Sequence, residues 1–150
     1  MRTFATFDEV AAAAGEELGT SDWLLIDQDR VDQFAEATGD HQWIHVDRER
    51  AATGPFGTTI AHGFLTLSMI PMLGSQVFSL ETPGPRLNYG VNKVRFPHPV
   101  RVGSRIRVRV TMGEVTEVPA GRQLTLRHTI EIEDEDKPAC VAETVVLLLP

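Results

Sequence analysis

The segment Gly39-Asp40-His41-Gln42-Trp43-Ile44-His45 gathers one carboxylate and two imidazoles where a helical pattern stops. Site residues concentrate on connectors held by a rigid scaffold, so titratable groups here point to proton transfer. An imidazole with an ordinary pKa near 6.5 takes up and releases protons at neutral pH, and Asp40 and His45 can clasp a water between them. Gly63 is a second candidate, in the first turn of an apolar helical pattern, where N–H groups lack partners and the helix dipole is positive. Having no side chain, it lets a ligand oxygen come close. His62 beside it reads as a structural hydrogen-bonding residue. Blander readings stand alongside: Asp40 as a cap after Gly39, His45 as a structural imidazole, Gly63 as a packing glycine. His41 and His45 would suit a metal if helical, but Gly39 argues against a helix there and no HExxH pattern exists, so no metal is expected.

Several elements must position these groups. Asp29 can cap a helix whose Val31, Phe34, Ala35 and Thr38 share one face, with Asp32 in the first turn and Gly39 closing it. Upstream, Thr6-Phe7-Asp8-Glu9 has capping-box spacing before a short helix through Ala14, and Trp23 to Ile26 suits a strand. Asp47 to Ala52 reads as a short helical turn and Gly54 to Gly57 as a loop. Thr58 to Leu73 predicts the main helix, apolar nearly all round and therefore buried, kinked or ended near Pro71. After the Pro83-Gly84-Pro85 loop the period changes to two. Arg105 to Val110 and Leu124 to Glu133 alternate as half-buried strands, with Arg105, Arg107 and Arg109 on a solvated face. Val141 to Leu149 reads as a central strand and Arg86 to Phe96 as one of mixed pattern. Cys140 reads as a small core residue rather than a nucleophile. One buried helix with antiparallel strands curled around it is an α+β layout, in a single domain over residues 1–150.

Composition narrows the function. The 150 residues are 42% hydrophobic and 23% charged, as in an ordinary soluble domain, and a net charge of −7 argues against nucleic acid or an anionic membrane as the main partner. A single cysteine permits no internal disulfide and favours a reducing compartment. No signal-peptide core and no span of bilayer length appear, so a cytoplasmic enzyme or binding domain is expected.

Phe34 through His45, Ala61-His62-Gly63-Phe64, and Val94-Arg95-Phe96 with Pro99-Val100 and Gly103 resemble the MaoC-like, (R)-specific enoyl-CoA hydratases. The resemblance runs over nearly all the chain from Trp23 onward. The family signature glycine-aspartate-x-asparagine-proline-x-histidine reads here Gly39-Asp40-His41-Gln42-Trp43-Ile44-His45, and Gln42-Trp43 in place of asparagine-proline is similar to the NodN-like branch. Gln42 keeps a carboxamide one methylene longer, while the loop geometry set by proline is lost. Where some members carry a serine along the main helix, Pro71 stands here.

The resemblance implies a hot-dog fold and reversible addition of water to a trans-2-enoyl-CoA thioester, giving the (R)-3-hydroxyacyl-CoA. It implies that Asp40 and His45 activate the water and return its proton to C2, and that the Gly63 N–H holds the enolate oxygen. Gln42 and His62 would support them. Phe64, Lys93 and Arg95 would bind substrate, although strand-edge solvation also accounts for Lys93, Arg95 and Arg101. No metal or redox cofactor is implied. Subunits would pair as a homodimer, two sheets joined edge to edge. A thioesterase on the same fold and a non-catalytic acyl-binding or assembly subunit are the rival readings.

Overall fold

The computed structural model describes all residues 1–150, and its framework is set by three long strands of alternating pattern. In β6 (Arg105–Val118) Ile106, Val108, Val110 and Met112 turn inward and are fully buried. In β7 (Gly121–Ile132) the inward row is Leu124, Leu126, His128, Ile130 and Ile132. With β8 (Cys140–Leu148), β5 (Arg86–Arg95) and β2 (Glu17–Thr20) they form an antiparallel sheet in the order β2-β6-β7-β8-β5; the short β3 (Leu24–Leu25) also pairs with β6. The outward arginines of β6 are ion-paired rather than merely solvated. Arg105 meets Glu133, Arg107 reaches Glu131 at 2.7 Å, and Arg109 meets Glu131 and, at 3.7 Å, Glu17. Pairs at the surface are worth little, roughly 0–1 kcal/mol each, so the inward apolar row carries the sheet.

Shorter elements cover the sheet's inner face. α1 (Phe7–Ala12) is capped as its sequence predicts, the Thr6 hydroxyl accepting from the Glu9 N–H at 3.2 Å. α2 (Gln28–Thr38) starts before the expected position. Asp27, not Asp29, is its cap, accepting from the Arg30 N–H at 2.9 Å, and Asp29 sits in the first turn, where the dipole favours it. α3 (Trp43–Val46) is a single turn followed by α4 (Arg48–Ala52), which Asp47 caps. β4 (Phe78–Leu80) lies parallel to β1 (Arg2–Phe4), a pairing that no sequence pattern defines.

The main helix differs from expectation in three ways. Thr58 to His62 is extended, not helical: Ile60 bridges Arg101, the Ala61 N–H donates to the Val100 carbonyl at 2.8 Å, and the Ile60 N–H donates to Ile44 at 3.0 Å. The helix starts at Gly63 and comes in two pieces, α5 (Gly63–Ser68) and α6 (Ile70–Gly74), divided at Met69. Pro71 causes the break, because it cannot donate to the Leu67 carbonyl and its ring crowds that group; it is tolerated in the first turn of α6. Finally, the perimeter is not fully covered. Leu65, Met69, Ile70 and Leu73 are buried, but Phe64 and Met72 are exposed, because the sheet covers one side of α5–α6 only.

Candidate active site

Helix α2 stops at Gly39, whose φ of 80° is the left-handed conformation that closes a helix. Its N–H returns to the Ala35 carbonyl at 2.8 Å, so Asp40 leaves at a set angle. Asp40 is exposed, and its Oδ1 accepts from the Gln42 N–H at 3.4 Å. One turn of α3 then carries His45 inward, where it is buried. His41 does not join it; that ring is exposed, 3.9 Å from the Glu36 carboxylate.

His45 Nδ1 lies 2.7 Å from the Ile60 carbonyl oxygen. A carbonyl can only accept, so Nδ1 carries the proton and donates it, leaving the Nε2 lone pair free. Burial, above all, holds this imidazole below its ordinary pKa; the Ile60 carbonyl opposes that, His62 adds to it, and the Asp40 carboxylate opposes it. The ring is therefore a neutral base at neutral pH.

His62 reaches back to the same loop. Its Nε2–H donates to the Asp40 carbonyl at 2.9 Å, its ring stacks on His45 at 3.8 Å and 23°, and Phe34 packs against its other side at 4.9 Å. His62 thus ties the residue before α5 to the backbone of Asp40. Ligand atoms of Asp40, His45 and His62 lie within 4.8 Å of one another. Two hydrogen bonds of about 2.7–2.9 Å can span that gap through one water. A metal fits poorly: imidazole lone pairs lie in the ring planes, and two rings stacked this closely do not aim them at one point about 2.0–2.1 Å from both.

Gly63 is the first residue of α5, and its N–H makes no hydrogen bond within the chain. A Cβ there would come within 2.9 Å of the Phe96 ring, so close packing also demands glycine. Phe64 stands outward, edge-on to Phe96 at 6.1 Å. Lys93 and Arg95 are exposed on β5, and Arg95 bonds only the Val94 carbonyl at 2.7 Å. Neither is brought to Asp40 or His45. Gln42 offers a backbone contact to Asp40 and caps nothing with its side chain.

Two features of the site carry no motif. Gln28 is buried and joins the parts of the site: its Nε2 donates to the His45 carbonyl and to Asp32 Oδ1, both at 2.8 Å. Its Oε1 accepts from the Thr59 hydroxyl at 2.5 Å and from Arg48 Nε at 3.3 Å. The signal was available, since Gln28 occupies the buried stripe of α2 with Val31 and Ala35. The other feature is a cavity of about 820 Å³ between α5–α6 and the sheet, lined by Leu67, Pro71 and Gly74 on the helices and by Leu126, His128 and Val145 on the strands. Leu67 and the Phe78–Leu80 strand belong to its wall; Phe64 does not, because it faces outward.

The fold and this cluster agree with the relatives of the chain. Residues 9–133 match the family model described as MaoC like domain. The chain is 55% identical over 147 residues to 3-hydroxyacyl-thioester dehydratase Z of Mycobacterium tuberculosis (strain ATCC 25618 / H37Rv), covering 97% of both. It is 45% identical to Nodulation protein N of Rhizobium leguminosarum bv. viciae, over 93% of this chain and 89% of that protein. In structure it resembles the (R)-hydratase from A. caviae involved in PHA biosynthesis, with a TM-score of 0.73 and 27% identity over 91% of this chain and 96% of that one. The chain belongs to the MaoC-like family, on the hot-dog fold, and to its dehydratases and hydratases, which are hydro-lyases.

Proposed function

We propose that this protein is an (R)-specific enoyl-CoA hydratase that adds water reversibly to trans-2-enoyl-CoA. The observation that carries the reading is the convergence of Asp40 and His45, with the His45 proton already committed to the Ile60 carbonyl. A water between them donates one O–H to His45 Nε2 and the other to the Asp40 carboxylate. As its oxygen bonds to C3, one O–H bond breaks and the C2=C3 electron pair moves onto the thioester as an enolate. The Gly63 N–H donates to that enolate oxygen, at the positive end of α5. The proton then passes to C2, which restores the thioester carbonyl. Asp40 stabilises the imidazolium formed on the way. Because one water supplies both groups from one face, addition is syn. Gln42 and His62 hold the Asp40 loop; Phe64, Lys93 and Arg95 would meet the coenzyme A portion of the substrate.

No helix is long and apolar enough to cross a membrane; a cytoplasmic location is proposed from the single, buried, unpaired cysteine, which suits a reducing compartment. We also propose a homodimer. Strand β5 is a ten-residue sheet edge that exposes Leu87, Tyr89 and Val91, and such an edge is ordinarily covered. Sedimentation should give twice the chain mass.

The test of the reaction is loss of the enoyl-thioester absorbance with crotonyl-CoA, followed by chiral analysis of the product. A 3-hydroxyacyl product of R configuration is expected. Release of free thiol instead would make the protein a thioesterase. Turnover that survives both Asp40→Asn and His45→Gln would overturn the assignment.

A further inference from the structure

Strand β7 interrupts its inward row of Leu124, Leu126, Ile130 and Ile132 with His128. That imidazole is 2% exposed, its Nε2 is 3.0 Å from the Thr144 hydroxyl of β8, and its Nδ1 has no partner. An unpaired ring nitrogen in an apolar interior costs free energy, whereas a leucine would continue the row without that cost. His128 and Thr144 both form the sheet wall of the cavity, between Leu126 and Val145. Arg86, the charged side chain of the lining, donates to the Leu80 carbonyl. On the helical side the cavity begins at Leu67, about 6 Å beyond Gly63 at about 1.5 Å per residue, and continues past the break at Met69 to Gly74. A substrate tail running along α5 from a thioester at Gly63 would enter it there.

We propose that the cavity is a subsite for acyl tails bearing a hydroxyl group, recognised by hydrogen bonding to His128 and Thr144. The proposal rests on the acyl-thioester reading above and adds a substrate class to it. A hydroxyl both donates and accepts, so it satisfies Nδ1 whichever ring nitrogen holds the proton. A hydrocarbon tail leaves that nitrogen unpaired. Burial keeps the ring neutral near pH 7, which favours an uncharged hydroxyl over a carboxylate.

The experiment compares 2-enoyl-CoA thioesters of equal length, with and without a hydroxyl moved stepwise along the tail, on wild type and His128→Leu. At one hydroxyl position the wild type should prefer the hydroxylated member by about tenfold in kcat/KM, and His128→Leu should bring that ratio near one. Crotonyl-CoA, too short to enter the cavity, should turn over equally in both. Absence of any preference in the wild type, or an undiminished preference in His128→Leu, overturns the subsite. Calorimetric binding of the matching saturated acyl-CoAs reads the same preference without turnover, so failure of the hydratase reading and failure of the subsite are distinguished. Thr144→Val, which removes only the Nε2 partner, should lower the preference and carries the test if His128→Leu does not fold.

Discussion

His45 and His128 are both buried imidazoles, yet their surroundings set them to different tasks. His45 stands at the edge of the fold, with one nitrogen engaged by a main-chain carbonyl and the Asp40 carboxylate within 4.8 Å of its ring. Its pKa is lowered by burial, but the Ile60 carbonyl and Asp40 pull against that, so the ring can still be protonated in passing. His128 has no acidic neighbour. Burial alone drives it to about 4, and it stays neutral through the working range. The contrast separates two uses of one side chain: proton exchange needs a nearby counter-charge, and neutral recognition needs its absence.

The largest effect that would break this contrast is chemical. Asp40→Asn or His45→Gln should lower kcat by about 10²- to 10⁴-fold, as loss of general acid–base catalysis does, while thermal unfolding stays within a few degrees of wild type. An equal loss from His128→Leu on crotonyl-CoA would erase the distinction between the two rings.

Acid titration sharpens it next. His128 has a native pKa of about 4 against about 6.5 unfolded, so below pH 6.5 the unfolded chain takes up a proton that the native chain refuses. Its share of stability is complete above pH 6.5 and lost as pH falls to 4, at most about 3 kcal/mol. Urea midpoints measured between pH 7 and pH 4 should fall less in His128→Leu than in wild type. His45 acts in the same direction. An unchanged slope in the variant would mean that His128 is not held neutral.

Gln28→Ala should have a smaller effect, but on both stability and rate. It leaves the Thr59 hydroxyl and the His45 carbonyl without their partner, a loss of about 1–3 kcal/mol. A calorimetric melt should show the decrease, and kcat should fall with it because α3 loses its tie to α2. Smallest should be Asp27→Ala, which removes one cap hydrogen bond from α2 for about 1 kcal/mol and leaves kcat unchanged.

Much of this architecture is legible from periodicity. The two-residue alternation of β6 and β7 names the inward rows, and Gly39 marks the end of α2 in its own conformation. The Asp40–His45 spacing points to the polar cluster. What escapes does so for physical reasons. Thr58 to His62 has the composition of a helix start, but its backbone is claimed by Val100 and Ile44, distant partners that outweigh local propensity. Pro71 warns of a kink without saying that the rod divides into two pieces. His128 escapes because a lone imidazole in an alternating strand has the same period as the leucines around it. Gln28 escapes because hydrogen bonds to four residues have no sequence signature beyond a polar group on an apolar stripe.

The Ile60 oxygen that engages His45 belongs to the main chain, and this has an evolutionary consequence. Side-chain replacement at position 60 does not abolish a peptide oxygen, so the identity of the basic nitrogen is shielded from ordinary sequence drift. Variation among descendants would fall instead on the cavity lining. Rate and substrate range can then diversify while the orientation of the base is inherited unchanged.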